Sequence, residues 1–260
     1  MADPNPFLPS ANGFAFTNSW PSQPAVTVPT PFGAINIGNA DAGLCGGMVF
    51  AALDFWHAQA PPPATRPGPG APLYDFIVRR LVESWHVPAG IAQYYQWMNL
   101  PTDDATYDVF GRHVVIERGV ISRTVGVQWP QIRADLDAGT PAALGLVTVA
   151  SANPKDLGLN HQVLAYGYQQ DGAAVTVGVY DPNSGPRDDV WIRFSATGPS
   201  AATTFEHNLG ISHPVRGFFR TAYAPTAPPV GQPPDSRTGS PTQSPSRARR
   251  VIPATSPRRR

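Results

Sequence analysis

One thiol, one imidazole and one carboxylate stand where they could act together. Cys45 is the single cysteine of the chain, so no internal disulfide framework exists and the residue is either a small buried hydrophobe or a reactive thiol. In the run 44–56, Leu44, Met48, Ala52 and Phe55 recur at helical spacing after Asp41-Ala42-Gly43. That spacing predicts a buried helix with Cys45 in its first turn, where unpaired N–H groups and the positive end of the dipole favour a thiolate. Gly46 and Gly47 are poor helix formers, and without side chains they would let a substrate backbone approach the sulfur. His161 opens an apolar run through Tyr168, and the next run, 175–180, ends in Asp181-Pro182-Asn183. A hairpin turning around 169–172 would bring His161, at the start of one strand, near Asp181, at the end of the other. A general base and the acceptor that orients it would then be in place. Taken singly, the cysteine reads as core filler and Asp-Pro-Asn as an ordinary turn; the combination points to chemistry.

The elements that must position these residues divide along the chain. Helices are predicted at 73–86, opening at Pro88 through Trp97, and from Trp129 to Gly139, where Pro130 suits a first helical position and Gly139 a C-terminal end. Residues 108–126 read as mixed, with short β-branched runs such as Val114-Val115-Ile116. Strands are expected at 142–149, 162–168, 175–180, 190–194 and 217–223, separated by Asn, Gly, Asp and Pro clusters. Helices first and an antiparallel sheet afterwards argue for α+β rather than a wound parallel sheet.

Composition marks the margins. The chain has 260 residues, 42% of them apolar, enough for one globular core with tails. Its 31 prolines gather before residue 32, between 61 and 72 and after 224, which gives an expected Pro-rich N-terminal arm at 1–31, a folded domain at 32–223 and a disordered Pro/Ser/Arg-rich tail at 224–260. The aromatics of the arm, Phe7, Phe14, Phe16 and Trp20, could dock on the domain. The tail holds seven arginines and one aspartate, leaving twelve basic and seventeen acidic residues in 1–223. Such a tail could make weak contacts with an anionic surface or nucleic acid, although an uninvolved solvated tail fits the composition better, since no aromatics are interleaved with the arginines. The N-terminus lacks a basic start and an apolar core, and no stretch reaches membrane-spanning length, so a cytoplasmic protein, or one exported without an ordinary signal peptide, is expected. Motifs for zinc proteolysis, phosphate loops and the Gly-x-Ser-x-Gly elbow are missing, and His57, His86, His113, His207 and His213 have no partners at metal spacing. No metal and no cofactor are expected.

At Leu44-Cys45-Gly46-Gly47, at Asn160 through Tyr168 and at Val179-Tyr180-Asp181-Pro182-Asn183 the chain resembles papain-like cysteine peptidases, in particular the bacterial branch that processes bacteriocin leaders. The resemblance covers about residues 33–223. It implies a helical lobe, with the cysteine at the N-terminus of its central helix, packed on an antiparallel β-sheet lobe, and an active site in the cleft between them. It implies Cys45, His161 and Asp181 as the catalytic triad, with Asn183 as an alternative orienting residue. It further implies an amide side chain before the cysteine in the oxyanion hole, a place taken by Asn39, with Asn36 in reserve.

The function expected from all this is a cysteine-dependent hydrolase, a monomer acting on a peptide or protein substrate through a thioester. The same triad would serve an acyltransferase or amidase, or an effector acting on a foreign protein. A catalytically weak or inactive papain-fold module that only binds is the reading from a different class.

Overall fold

The β-branched and aromatic runs of the second half assemble into a six-stranded antiparallel sheet in a computed structural model that describes residues 6–20, 26–30, 33–37, 43–85, 89–196 and 203–230. Its strands are β5 (Ala142–Val147), β6 (His161–Asp171), β7 (Ala174–Tyr180), β8 (Trp191–Ser195), β9 (Glu206–His207) and β10 (Gly217–Arg220), in the order β10-β5-β6-β7-β8-β9. The hairpin read from the sequence is present: Asp171 pairs with Ala174 across a tight turn in which Gly172 has φ +56°, a backbone region open to glycine without strain.

The first half supplies the helices: α1 (Pro9–Asn12), α2 (Cys45–His57), α3 (Pro72–Ser84) and α4 (Ala89–Asn99), followed by α5 (Val120–Arg123) and α6 (Trp129–Asp137). Two hairpins lie among them, β1 (Val26–Thr30) with β2 (Gly33–Ile37), and β3 (Ala105–Val109) with β4 (Arg112–Glu117). Mixed α+β architecture is therefore the arrangement of the described residues.

Strand alternation splits the interior into two cores. Leu164, Tyr180, Ala143, Val147 and Phe219 face α2, α3 and α4, whereas Val163, Ala165, Val177, Val179 and Ile192 face Trp129 and Ile132 of α6. The helix α2 is buried on every side from Gly46 to Trp56, which explains its nearly uninterrupted apolar sequence.

Three features depart from the sequence reading. The segment before Trp129 is helical from Val120 onward, passing through a π-turn at Thr124–Gln128 that joins α5 to α6. The segment reads as mixed because its β-branched residues favour strand, but Val120 and Ile121 are buried and the Thr124 hydroxyl both accepts from the Phe218 N–H (3.0 Å) and reaches the Phe218 carbonyl (3.1 Å), tying the turn to β10. The β1–β2 hairpin, with Val26 opposite Ile37, spans the expected boundary at 31/32. The N-terminal arm docks on the domain, as its aromatics suggested, and over residues 6–20 it is part of the core. Phe7 and Phe14 are buried, Phe14 packs edge-on to Phe55 of α2, and Asp188 accepts hydrogen bonds from the backbone N–H and hydroxyl of Ser10. The compact unit extends to Val230: buried Arg80 of α3, ion-paired with buried Asp54, donates to the Ala224 carbonyl, while Asp54 accepts from Tyr223 and from the Thr226 N–H.

Candidate active site

Cys45 is the first residue of α2, half-buried, with its sulfur side at a cleft and the remainder of its helix enclosed. Its first-turn N–H groups have no partner inside the helix. The two glycines that follow have another purpose than the one read from sequence. A Cβ at Gly46 would stand 2.3 Å from Gln162 Oε1, and one at Gly47 would stand 2.1 Å from the Ile77 carbonyl oxygen. Close packing of α2 on β6 and α3 therefore requires both glycines, and both point into the protein.

His161 starts β6 opposite Leu146 of β5, and the segment leading to it is pinned: Asn160 Oδ1 accepts from the Thr148 N–H, and the Thr148 hydroxyl donates to the Leu159 carbonyl. The imidazole is 4% exposed. Its Nε2 lies 2.8 Å from Asp181 Oδ1, which leaves Nδ1 as the ring nitrogen available to Cys45 at the same cleft. Burial alone would depress the basicity of His161, but its electrostatic interaction with Cys45 and its hydrogen bond to the Asp181 carboxylate outweigh that and push the ring up to about 10.

Asp181 follows β7 and is fully buried. Its Oδ1 accepts from His161 and from the Asn183 N–H (2.9 Å), and its Oδ2 from the Ser184 hydroxyl (3.0 Å) and the Gly210 N–H (2.7 Å). Burial pushes the carboxyl up, yet the His161 charge and these donors prevail and bring it down to about 2, so it is ionised at neutral pH. The Leu164–Tyr180 pairing of β6 and β7 sets Asp181 beside the start of β6, which is how the hairpin delivers it to the ring.

The structure thus brings Cys45, His161 and Asp181 together. Asn183 does not orient the ring: its side-chain amide donates to the Gly210 carbonyl and accepts from Asn18, while its backbone N–H supports Asp181. Asn39 lies outside the described residues, and for Asn36 only its place in β2 is described. Two participants were not legible in sequence. Tyr94 of α4 donates from its hydroxyl to the His161 carbonyl (3.2 Å), and burial together with the Cys45 charge raises its phenol far above the ordinary range. Asn18, from the N-terminal arm, accepts the Leu44 N–H (2.9 Å). No local pattern marks either residue, since their roles arise only from tertiary neighbours.

The cleft beside the thiol has a volume of about 510 Å³ and is bounded by residues 17–20, 43–45, 158–161 and 210–213 with Asn183. A second, mostly apolar pocket leads from Cys45 and His161 between Leu81, Trp85, Ile91, Tyr94 and Leu157. Among the described residues no cluster of three or more His, Cys, Asp or Glu could hold a metal, and no helix is long and apolar enough to cross a membrane. Comparison with family models, with curated proteins and with solved structures returned no match.

Proposed function

We propose that the chain is a cysteine-dependent hydrolase of peptide bonds, working in a papain-like manner from the cleft between the helices and the sheet. The observation that carries this reading is the buried His161, fixed through Nε2 by an ionised Asp181 and turned toward the one thiol, which stands at a helix N-terminus open to a cleft.

In this mechanism the Cys45 thiolate attacks the carbonyl carbon, the C–S bond forms and the carbonyl π electrons move to oxygen. The Cys45 N–H stabilises that oxyanion, with an amide side chain in support, for which Asn39 is the residue proposed from sequence. His161 Nδ1 gives its proton to the departing amine as the C–N bond breaks, leaving a thioester. A water molecule, deprotonated by the same nitrogen, then attacks the thioester and restores the thiolate with release of the acid. Asp181 remains ionised throughout and offsets the imidazolium charge, the part given to the carboxylate of a Ser-His-Asp triad. The apolar pocket between Leu81 and Leu157 has a volume of only about 30 Å³, so it suits a small apolar side chain next to the scissile bond.

The test is cleavage of a peptide mixture varied at the positions flanking the cut. The wild type should cleave next to small apolar residues in preference to bulky ones and Cys45→Ala should be inert. Equal turnover by the two proteins would exclude thiol catalysis.

A further inference from the structure

The cysteine and the aspartate belong to different parts of the fold, Cys45 to the helical side and Asp181 to the end of β7, and a catalytic pair works only if its spacing is held to a fraction of an ångström. One residue of the N-terminal arm spans them. Asn18 Oδ1 accepts the N–H of Leu44, the residue directly before Cys45, at 2.9 Å. Its Nδ2 donates to Asn183 Oδ1 at 3.0 Å, and its own backbone N–H donates to the Pro182 carbonyl at 2.8 Å. Asn183 in turn gives its N–H to the Asp181 oxygen that holds His161. A continuous series of hydrogen bonds therefore runs from the turn carrying the thiol, through Asn18 and Asn183, to the carboxylate and the imidazole.

Close contact reinforces this tie. A Cβ at Gly43 would fall 2.3 Å from Asn18 Nδ2, so the chain entering α2 is pressed directly against the amide. The stretch 17–20 also forms part of the cleft wall together with Cys45 and His161. Phe14 and Phe16, both buried, and the contact of Trp20 with Tyr74 fix the arm on either side of this stretch.

We infer that Asn18 is a positioning residue for the Cys45–His161 pair, and that the N-terminal arm is a resident part of the active site rather than a segment to be removed for activity. The inference rests on the proposed thiol chemistry. Asn18 is suited to the role because one amide supplies an acceptor for the Leu44 N–H and a donor for Asn183. Aspartate, of the same shape, keeps the acceptor and loses the donor.

The experiment measures alkylation of Cys45 by iodoacetamide at pH 6 and pH 8 in the full chain, for wild type, Asn18→Ala, Asn18→Asp and Ser10→Ala, with thermal unfolding of each. Ser10→Ala loosens the arm at Asp188, away from the site. The proposed thiolate–imidazolium pair predicts a wild-type rate that differs little between the two pH values. For an isolated thiol the same change in pH alters the rate by roughly a hundredfold. Both Asn18 variants should lose about tenfold at pH 6 and approach the isolated-thiol dependence, whereas Ser10→Ala should keep the wild-type profile even with a lowered Tm. Wild-type profiles in folded Asn18→Asp or Asn18→Ala would overturn the inference and leave the thiol chemistry standing. An equal change in Ser10→Ala would reduce Asn18 to a structural anchor and also overturn it. An inert Cys45 in the wild type would instead remove the proposed function on which the inference depends.

Discussion

Replacing Asp181 by Asn is the perturbation whose consequences follow most fully from the geometry. The carboxylate has no exposed surface and accepts four hydrogen bonds, two at each oxygen. Asparagine keeps one oxygen and turns the other into a donor. If the NH₂ faces Gly210 and Ser184, the Gly210 N–H loses its acceptor and meets a second donor; if it faces His161, two donors confront each other. In both cases the imidazolium loses its countercharge. Removing one partner of a buried ion pair costs about 3–5 kcal/mol, and for a folded unit of this size each kcal/mol lowers Tm by about 2–4 °C, so Asp181→Asn should melt about 6–20 °C below wild type at pH 7. The acid limb adds a second signature. Because folding depresses the Asp181 carboxyl to about 2, its stabilisation is complete above the unfolded value of about 3.9 and is lost as pH falls through that value toward 2. A shift of that size corresponds to about 2 kcal/mol, so the wild-type advantage over Asp181→Asn should shrink by about that amount between pH 5 and pH 2. The assay is thermal unfolding followed by circular dichroism across that pH range. A variant that melts within 2 °C of wild type at pH 7, or a gap that stays constant down to pH 2, would refute the buried, ionised role of Asp181.

Two other predictions test the packing behind the site. Gly47→Ala should destabilise the protein by about 3 kcal/mol or more, because its Cβ meets the backbone carbonyl of Ile77 at 2.1 Å and backbone cannot swing aside; unchanged denaturant unfolding would mean that α2 and α3 are not in such close contact. Phe14→Ala, which empties a site at 0% exposure against Phe55 and Phe16, should cost about 3–5 kcal/mol and should not raise activity; a gain in hydrolysis after this change would show that the arm inhibits the site.

The sequence made the catalytic candidates legible because each lies in a strongly patterned segment. Cys45 precedes a helical apolar repeat, and the β6–β7 hairpin turns tightly at Gly172, so spacing supported the neighbourhood of His161 and Asp181, whereas the register shift between Ala165 and Gly167 that sets their final alignment left no mark in the sequence. Gly46 and Gly47 were visible as anomalies, but whether they faced substrate or neighbouring helices depended on α3 and β6, which sequence spacing does not place. The helical stretch at 120–128 carried a misleading signal, since Val120, Ile121, Thr124 and Val125 favour strands until their burial against β10 overrides that preference. The arm was half legible: its aromatics marked it as able to dock, and Phe7, Phe14 and Phe16 do bury themselves in the core, but that this docking brings Asn18 to the residue before the thiol depends on tertiary placement that composition does not carry.

Labelling of the folded protein with a thiol-directed epoxide, with the adduct located by mass spectrometry, tests the Cys45–His161 pair most directly. The expected result is rapid modification of Cys45 in wild type and its loss in His161→Ala, since removal of the imidazole takes away both the countercharge of the thiolate and the proton that opens the epoxide. A Cys45 that stays unmodified in folded wild type, or that reacts equally fast without His161, would contradict the claim that these residues form a nucleophilic pair.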